Sequence, residues 1–314
     1  MTDRIPVGSG ERRRGAAVRL GLATMVWGST FVVVKLALTS VSPVLLVALR
    51  FAAAAAATLF YIILLRKRRP GRTDDAGTLF SSALIAPSIL LGLALSGGYV
   101  FQTFGLLTTG PGKCAFITAL YLVFTPFFSW LVNRKRVSVL QTVSLVIAMC
   151  GVYLLASPRG AVSAGDLYSL AGALCWAIHL ALIDRFSRRG TEEALTFLQL
   201  LVVLIASTLV FLAIERPHAG LGLSTPWPLL GILYLGIPAT TLVVLVQMRW
   251  QPHLGATSAA LIYIGETVVA SIGGVLVFGE RLGLQGYLGC ALILFSVFMV
   301  ASRPARFARP RRAG

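Results

Sequence analysis

The sequence predicts an all-α integral membrane protein: ten transmembrane helices, arranged as two inverted five-helix repeats with both termini cytoplasmic. Three observations carry this reading. The first is composition. Of 314 residues, 57% are hydrophobic and 12% charged, and mean hydropathy is +0.84. A water-soluble fold must cover itself with polar groups, and this chain has too few of them, so lipid is the solvent for most of it. The second is the recurrence of apolar stretches of about 20 residues, the length a helix needs to cross a hydrocarbon core. The third is a likeness between the halves. Trp27, Leu49 and Phe51 are followed 149 residues on by Trp176, Leu198 and Leu200. Gly92 and Gly97 are followed 139 on by Gly231 and Gly236, and Ala115, Ala119 and Leu120 are followed 141 on by Ala256, Ala260 and Leu261. Leu140-Gln141 returns as Leu284-Gln285. Their common order along the chain gives weight to matches that are weak singly. Internal repeats in a polytopic chain point to a secondary transporter whose binding site lies between them.

The spans follow in order. The first, 17–38, is longer than the apolar part of a cleaved leader and runs straight on to a second, so it is read as a true span. The second, 43–65, opens at Ser42-Pro43, contains the alanine run 52–57, and closes on Arg66-Lys67-Arg68-Arg69. The third is 82–105. Gly110-Pro111-Gly112 introduces the fourth, 112–132, and Arg134-Lys135-Arg136 separates it from the fifth, 138–157. Ser157-Pro158-Arg159-Gly160 divides the halves. The sixth to tenth spans are 166–186, 194–214, 228–248, 256–279 (ending at Gly279) and 283–302. The units are therefore a basic tail 1–16, repeats 17–157 and 158–302, and a second basic tail 303–314. The tails are expected to be disordered and to lie on anionic headgroups.

Orientation follows from charge. The net charge of +17 does not form a patch on a folded module, which excludes nucleic acid as a partner; Lys and Arg instead mark the ends of apolar runs. With the N-terminus inside, the external connections hold only Lys113, Arg159, Arg216 and Arg281, with Lys35 near an outer helix end and Arg50 within a span. All other Lys and Arg fall on the opposite side, the positive-inside pattern. Five helices per half is an odd number, so the second half enters the membrane from the opposite face. The four cysteines, Cys114, Cys150, Cys175 and Cys290, lie in or at the edge of apolar runs without the C-x-x-C spacing of a metal or redox site.

Residues 17–302 resemble the ten-helix drug/metabolite transporter superfamily, EamA type. The resemblance rests on Trp27-Gly28-Ser29-Thr30-Phe31, Pro43, Arg50-Phe51, Gln102, Gly105-Leu106, Ala115-Phe116-Ile117-Thr118 and Thr125-Pro126. The second half adds Gly165-Asp166-Leu167, Trp176, Ala259-Ala260-Leu261, Glu266 and Gly279-Glu280-Arg281-Leu282. In the family the ninth-span glutamate is usually followed by a proline; here Thr267 takes that place, so no proline dictates a kink.

Glu266 is the one carboxylate far from a membrane edge. An acid there costs at least a few kcal/mol unless it faces a cavity, is protonated or is paired, which makes it the candidate coupling site for a proton or cation; a protonated side chain that fixes helix packing is the plainer alternative. Arg50, about 10 Å deep at 1.5 Å per residue, either snorkels outward, bonds a neighbouring helix, or grips a substrate anion. Trp27 and Trp176 are repeat counterparts at mid-membrane depth and suit a cavity wall, with plain packing as the alternative. Thr30, Tyr99, Gln102, Thr118, Tyr121 and Tyr263 complete the substrate-cavity candidates, the few polar contacts of a mostly apolar pocket. His179 joins them, although a neutral histidine bonded to a carbonyl is the commoner case. Lys35 and Asp184, at equivalent repeat positions, are expected near opposite membrane faces, too far apart to pair. Gly283-x-x-Gly286-x-x-Gly289 reads as close helix packing or a contact in a homodimer.

The function expected is secondary-active transport, in the exporting direction, of small neutral or zwitterionic metabolites resembling amino acids, or of drugs, by alternating access between the repeats. No nucleotide-binding G-x-x-x-x-G-K-[ST] is present, and no cofactor or metal is expected. The alternatives are a carrier of sugar phosphates or nucleotide sugars, which would want several cavity-facing cations, and a membrane-embedded enzyme. No catalytic residues are assigned, because one deep glutamate and three scattered histidines form no catalytic constellation. The expected setting is the bilayer of a bacterial inner (plasma) membrane.

Overall fold

Ten apolar segments become ten helical spans in the computed structural model, which describes residues 9–68, 81–156, 162–187, 191–215, 226–279 and 281–302. They are α1 (Ser9–Ala37), α2 (Pro43–Arg68), α3 (Ser82–Thr108), α4 (Pro111–Thr118 and Tyr121–Asn133), α5 (Val139–Ala156), α6 (Ala164–Phe186) and α7 (Glu192–Ile214). α8 comprises Pro226–Gly236, a π-helical Ile237–Leu242 and Val243–Trp250. α9 comprises Ala256–Tyr263 and Gly265–Phe278, and α10 is Leu284–Ala301. Nine are long and apolar enough to cross a bilayer, and Val139–Leu155 is a shorter apolar helix. Among the described residues there is no strand. Outward-facing side chains such as Leu22, Phe60, Leu209, Leu276 and Phe298 are large and apolar, a surface suited to lipid rather than water. Of the N-terminal tail expected to be disordered, residues 9–16 are instead helical, forming the first turns of α1 with Ala16 buried, because the apolar run continues back through alanines that pack inward. Residues 1–8, the tail 303–314, the division at residues 157–160, and Arg188, Arg189 and Arg216 lie outside the described residues.

Packing alternates between the halves. α3 lies on α6 and α7, α2 on α7 and α8, α1 on α8 and α9, α4 on α6, and α5 on α10. Three carboxylates of the second half fasten this arrangement. Asp166 forms a capping box with Ser163 at the start of α6, and takes Lys113 Nζ at 2.7 Å and Thr109 Oγ1 at 3.2 Å. Asp184, in the last turn of α6, accepts the Ala256 N–H that opens α9 at 2.7 Å, with Lys135 Nζ at 3.1 Å. Its side chain is wholly buried and makes no pair with Lys35, which donates to Leu106 O at 2.6 Å. Glu215, just after α7, accepts from Val44 N–H, Leu45 N–H and Ser42 Oγ, satisfying orphan donors at the start of α2.

The structure also corrects the register of the repeat. Gly92 lies against Gln199 O and Val202, and Gly236 against Arg50 O and Ala53. Gln199 and Val202 stand 149 residues after Arg50 and Ala53, so Gly92 corresponds to Gly236, and not to Gly231. In α4 the Ala119 N–H bonds Ala115 O and Ile117 O; in α9 the Ile264 N–H bonds Ala260 O and Ile262 O. Both spans end on a left-handed residue, Arg134 (φ 54°) and Gly279 (φ 68°). α4 therefore matches α9 at 145 residues, not 141, and Glu266 is the counterpart of Tyr121 and not of Thr125.

Of the glycine stripe on α10, Gly289 is used within the chain. A Cβ there would come within 2.6 Å of Leu155 N on α5, whereas nothing lies within 4 Å of one on Gly283. Gly289→Leu should therefore cost about 1–3 kcal/mol or more through forced separation of α5 and α10. Gly283→Leu, which meets open space and loses only a favourable N-cap of α10, should cost about 1 kcal/mol or less. Thermal unfolding of the purified variants in detergent checks the pair.

Candidate functional site

A small cavity lies at the centre of the bundle. Its walls are Trp27, Thr30 and Phe31 of α1, Tyr99 and Gln102 of α3, Tyr121 of α4, Trp176 and Leu180 of α6, Gln247 of α8, and Tyr263 and Glu266 of α9. Three helices come from each half, and they are counterparts: α1 with α6, α3 with α8, α4 with α9. α2 and α7 contribute nothing to the lining. The space itself is about 30 Å3, enough for about one or two water molecules.

Local backbone irregularity positions the lining. α4 and α9 both break at cavity depth, where a turn of i→i+3 bonds replaces the α-helical ladder: Leu120 N–H to Ile117 O and Val123 N–H to Leu120 O in α4, and Thr267 N–H to Ile264 O in α9. These breaks put Tyr121 at the start of one second segment and Glu266 near the start of the other. Neither break is caused by proline. Pro126 lies further along α4, and Thr267 in α9 returns its hydroxyl to Ile264 O at 2.7 Å.

α8 is opened by its π-helical turn. Thr240 Oγ1 donates to Leu235 O at 2.7 Å and Thr241 Oγ1 to Gly236 O at 3.2 Å, both five residues back. The Val243 N–H bonds Thr240 O, while Ala239 O accepts the Trp27 indole N–H at 3.1 Å and an Arg50 Nη2 proton at 3.5 Å. A π-bulge adds one residue to a helix. The correspondence of α3 with α8 accordingly moves from 144 residues at Gly92 and Gly236 to 145 at Gln102 and Gln247, which face the same space.

Eight of the residues singled out from the sequence meet here: Trp27, Thr30, Tyr99, Gln102, Tyr121, Trp176, Tyr263 and Glu266. Trp27 serves both roles considered for it, since its ring lines the cavity while its N–H secures α8. Arg50, Thr118 and His179 do not line the cavity. Arg50 does not snorkel: it is 3% exposed, donates from Nε to Thr240 Oγ1 at 2.7 Å and from Nη2 to Tyr99 OH at 3.3 Å, and stacks over the Tyr99 ring at 4.3 Å. His179 is held by Gln199, its Nε2 donating to Oε1 at 2.9 Å. Thr118 is buried behind the break in α4. Sequence reasoning missed Gln247, Phe31 and Leu180. Gln247 was recoverable as the counterpart of Gln102 once the inserted residue is counted.

The aromatic walls touch in a chain. Tyr99 and Trp176 are 4.8 Å apart between ring centroids, Trp176 and Trp27 6.2 Å, Trp27 and Tyr263 5.2 Å. Trp176 Nε1, Tyr121 OH, Tyr263 OH and both side-chain polar atoms of Gln247 make no well-formed hydrogen bond within the protein. Among the described residues no cluster of three His, Cys, Asp or Glu is placed to hold a metal ion.

The two like halves of this all-helical apolar bundle match known proteins at the level of family. The pattern of the EamA-like transporter family fits the chain twice, over residues 16–157 and 163–302. The chain belongs to that family. A protein of Archaeoglobus fulgidus named as an uncharacterized transporter is 31% identical, over 94% of this chain and 88% of its own. The Bacillus subtilis uncharacterized transporters YcxC and YoaV are 23% and 24% identical, over 88% and 90% of this chain and 89% and 96% of theirs. A solved crystal structure, 20% identical, covers 91% of this chain and 96% of its own with a TM-score of 0.69, a likeness of fold. This EamA-family chain is thus an integral membrane protein.

A larger groove of about 810 Å3 lies elsewhere, between α2, α7 and α8, walled by Ala53, Ala56, Ala57, Leu233, Ile237 and Leu242 among others. It contains none of the candidate residues, and its exposed apolar side chains face the lipid side.

The tyrosines divide into two kinds. Tyr99→Phe removes an acceptor from Arg50 and should cost about 1–3 kcal/mol. Tyr121→Phe and Tyr263→Phe remove hydroxyls that neighbour Glu266 and Gln247 without a well-formed hydrogen bond, and should cost less, about 1 kcal/mol or below. Melting temperatures of the three variants in one detergent check the division.

Proposed function

We propose that this EamA-family chain is a secondary-active exporter of small neutral or zwitterionic metabolites or drugs, working by alternating access between inverted halves. The observation that carries the reading is the central cavity, built in equal parts from counterpart helices of the two halves, several of whose polar groups make no well-formed hydrogen bond within the protein. Such a site can open to either face if one half rocks against the other. Its present volume of about 30 Å3 is far below the roughly 300–1,000 Å3 of ligand pockets, so a solute enters only as the halves part.

Inversion is supported by the exchanged packing, in which α1 lies on α9 as α6 lies on α4, and α2 lies on α8 as α7 lies on α3. The distribution of Lys and Arg supports cytoplasmic termini, in the inner membrane of a bacterium. Glu266 is the group that would couple transport to a proton or other cation. The rival reading, a carrier of sugar phosphates or nucleotide sugars, loses its one deep cation, since Arg50 is engaged by Thr240 and Tyr99 outside the cavity. A membrane-embedded enzyme has no support in the family or in the names of the relatives.

The substrate test compares medium and cytoplasm metabolites between a deletion strain and an overexpressing strain. The expected result is a solute whose external level rises with expression; no such solute overturns the exporter reading. Glu266→Gln should lower its transport in proteoliposomes by about tenfold or more, the effect of about 1.4 kcal/mol, and remove any response to an imposed pH gradient. For orientation, a fluorescent protein fused after Gly314 should fluoresce and alkaline phosphatase at the same place should be inactive. The reverse pair of results would place the termini outside.

A further inference from the structure

We propose that the central cavity selects an organic ammonium group, with Glu266 as its counter-ion and Trp27, Trp176 and Tyr263 as aromatic walls, and has no partner for a carboxylate on the same solute. The inference rests on the reading of this cavity as the transport site, and narrows its substrate class.

The charges decide it. Glu266 is 8% exposed and lines the cavity, and among the described residues no Lys, Arg or His lines it. A buried carboxylate is strongly stabilised by a partner of opposite sign and costly without one. Arg50, the nearest deep cation, points its Nε to Thr240 and stacks on Tyr99, so it is already hydrogen-bonded outside the lining. The protein thus brings an anion to the cavity and leaves the cation to the solute.

The walls agree with that sign. An aromatic face carries the negative part of its quadrupole and attracts a cation within about 6 Å of the ring centroid. Trp27, Trp176 and Tyr263 supply the rings for the solute, and Tyr99, already stacked with Arg50, closes the arc behind Trp176; each ring is 4.8–6.2 Å from the next. Three neighbouring pairs are tilted or edge-on, at 55–72°, an arrangement that turns faces in more than one direction. The remaining polar groups, Tyr121 OH, Tyr263 OH, Trp176 Nε1 and the Gln247 amide, are neutral and suit the uncharged parts of a solute. An α-amino acid would satisfy Glu266 with its ammonium group but strand its carboxylate among these rings. A simple amine would not.

The test uses solutes with one phenylethyl body and different charge: phenethylamine (cation), L-phenylalanine (zwitterion), 3-phenylpropanoate (anion) and 2-phenylethanol (neutral). Calorimetric binding to the purified full chain in nanodiscs should rank phenethylamine at least about tenfold tighter than any of the others, the scale of one desolvated cation–π or ion-pair contact. Phenethylamine binding should also fall about tenfold or more in Glu266→Gln at unchanged melting temperature. Equal or tighter binding of the zwitterion, the anion or the alcohol overturns the proposal, as does failure of all four to bind; this series needs no variant to fold. Counterflow of the same solutes in proteoliposomes separates the two readings. Movement of the others but not of phenethylamine ends the ammonium reading and keeps transport. Tight, selective binding of phenethylamine without movement of any solute keeps the ammonium site and ends transport.

Discussion

Inside a bilayer a backbone N–H or C=O without a partner has no water to turn to, so irregular backbone survives only where protein or a cavity receives it. The rest of this structure depends on that constraint. α4, α8 and α9 are all interrupted, and each interruption faces inward. In α8 the carbonyl of Ala239 is taken by Trp27 and Arg50, while Thr240 and Thr241 return their hydroxyls to carbonyls five residues back. In α9 the Thr267 hydroxyl does the same for Ile264. Helix ends obey the same rule: Glu215 receives the first donors of α2, and Asp184 that of α9. The buried charges of this chain are therefore mostly consumed in holding backbone.

That consumption explains which sequence inferences held. Length and hydropathy locate spans well, because crossing the bilayer demands a minimum number of apolar residues whatever the neighbours do. Nine of the ten segments read from the sequence begin and end within a few residues of the helices observed. The first helix starts at Ser9, eight residues before the segment read at 17, because its basic first turns lie beyond the apolar stretch. Trp27, Trp176, Tyr99 and Glu266 were recognisable because an aromatic or acidic group at mid-depth has few other uses. Arg50 and His179 were not separable on those grounds. Their partners, Thr240 and Gln199, are 190 and 20 residues away, and no periodicity in a single apolar helix reveals which neighbour it will meet.

Register was hidden for a related reason. Apolar helices draw on a small alphabet, so glycines and alanines align at several offsets almost equally well. The contacts decide between them: Gly236 against Arg50 O repeats Gly92 against Gln199 O. The extra residue in the π-helical turn of α8 then shifts everything after it by one. Without that shift Gln247 has no visible link to Gln102, and Glu266 is set beside the wrong counterpart in α4.

The corrected register places Tyr121 opposite Glu266 in the repeat, and both face the cavity. Two-fold symmetry alone would put either two acids or none at this position. Two carboxylates sharing a space of about 30 Å3 could not both ionise at ordinary pH, because like charges so close disfavour the charged form. A phenol in one half and a carboxyl in the other keeps the two halves alike in shape and polarity at this position, yet leaves a single acid in the cavity. Under the alternating access proposed above, the motion would be nearly symmetric while binding would not. On that proposal a solute or ion would meet the same Glu266 from either face of the membrane, since among the described residues no second acid lines the cavity.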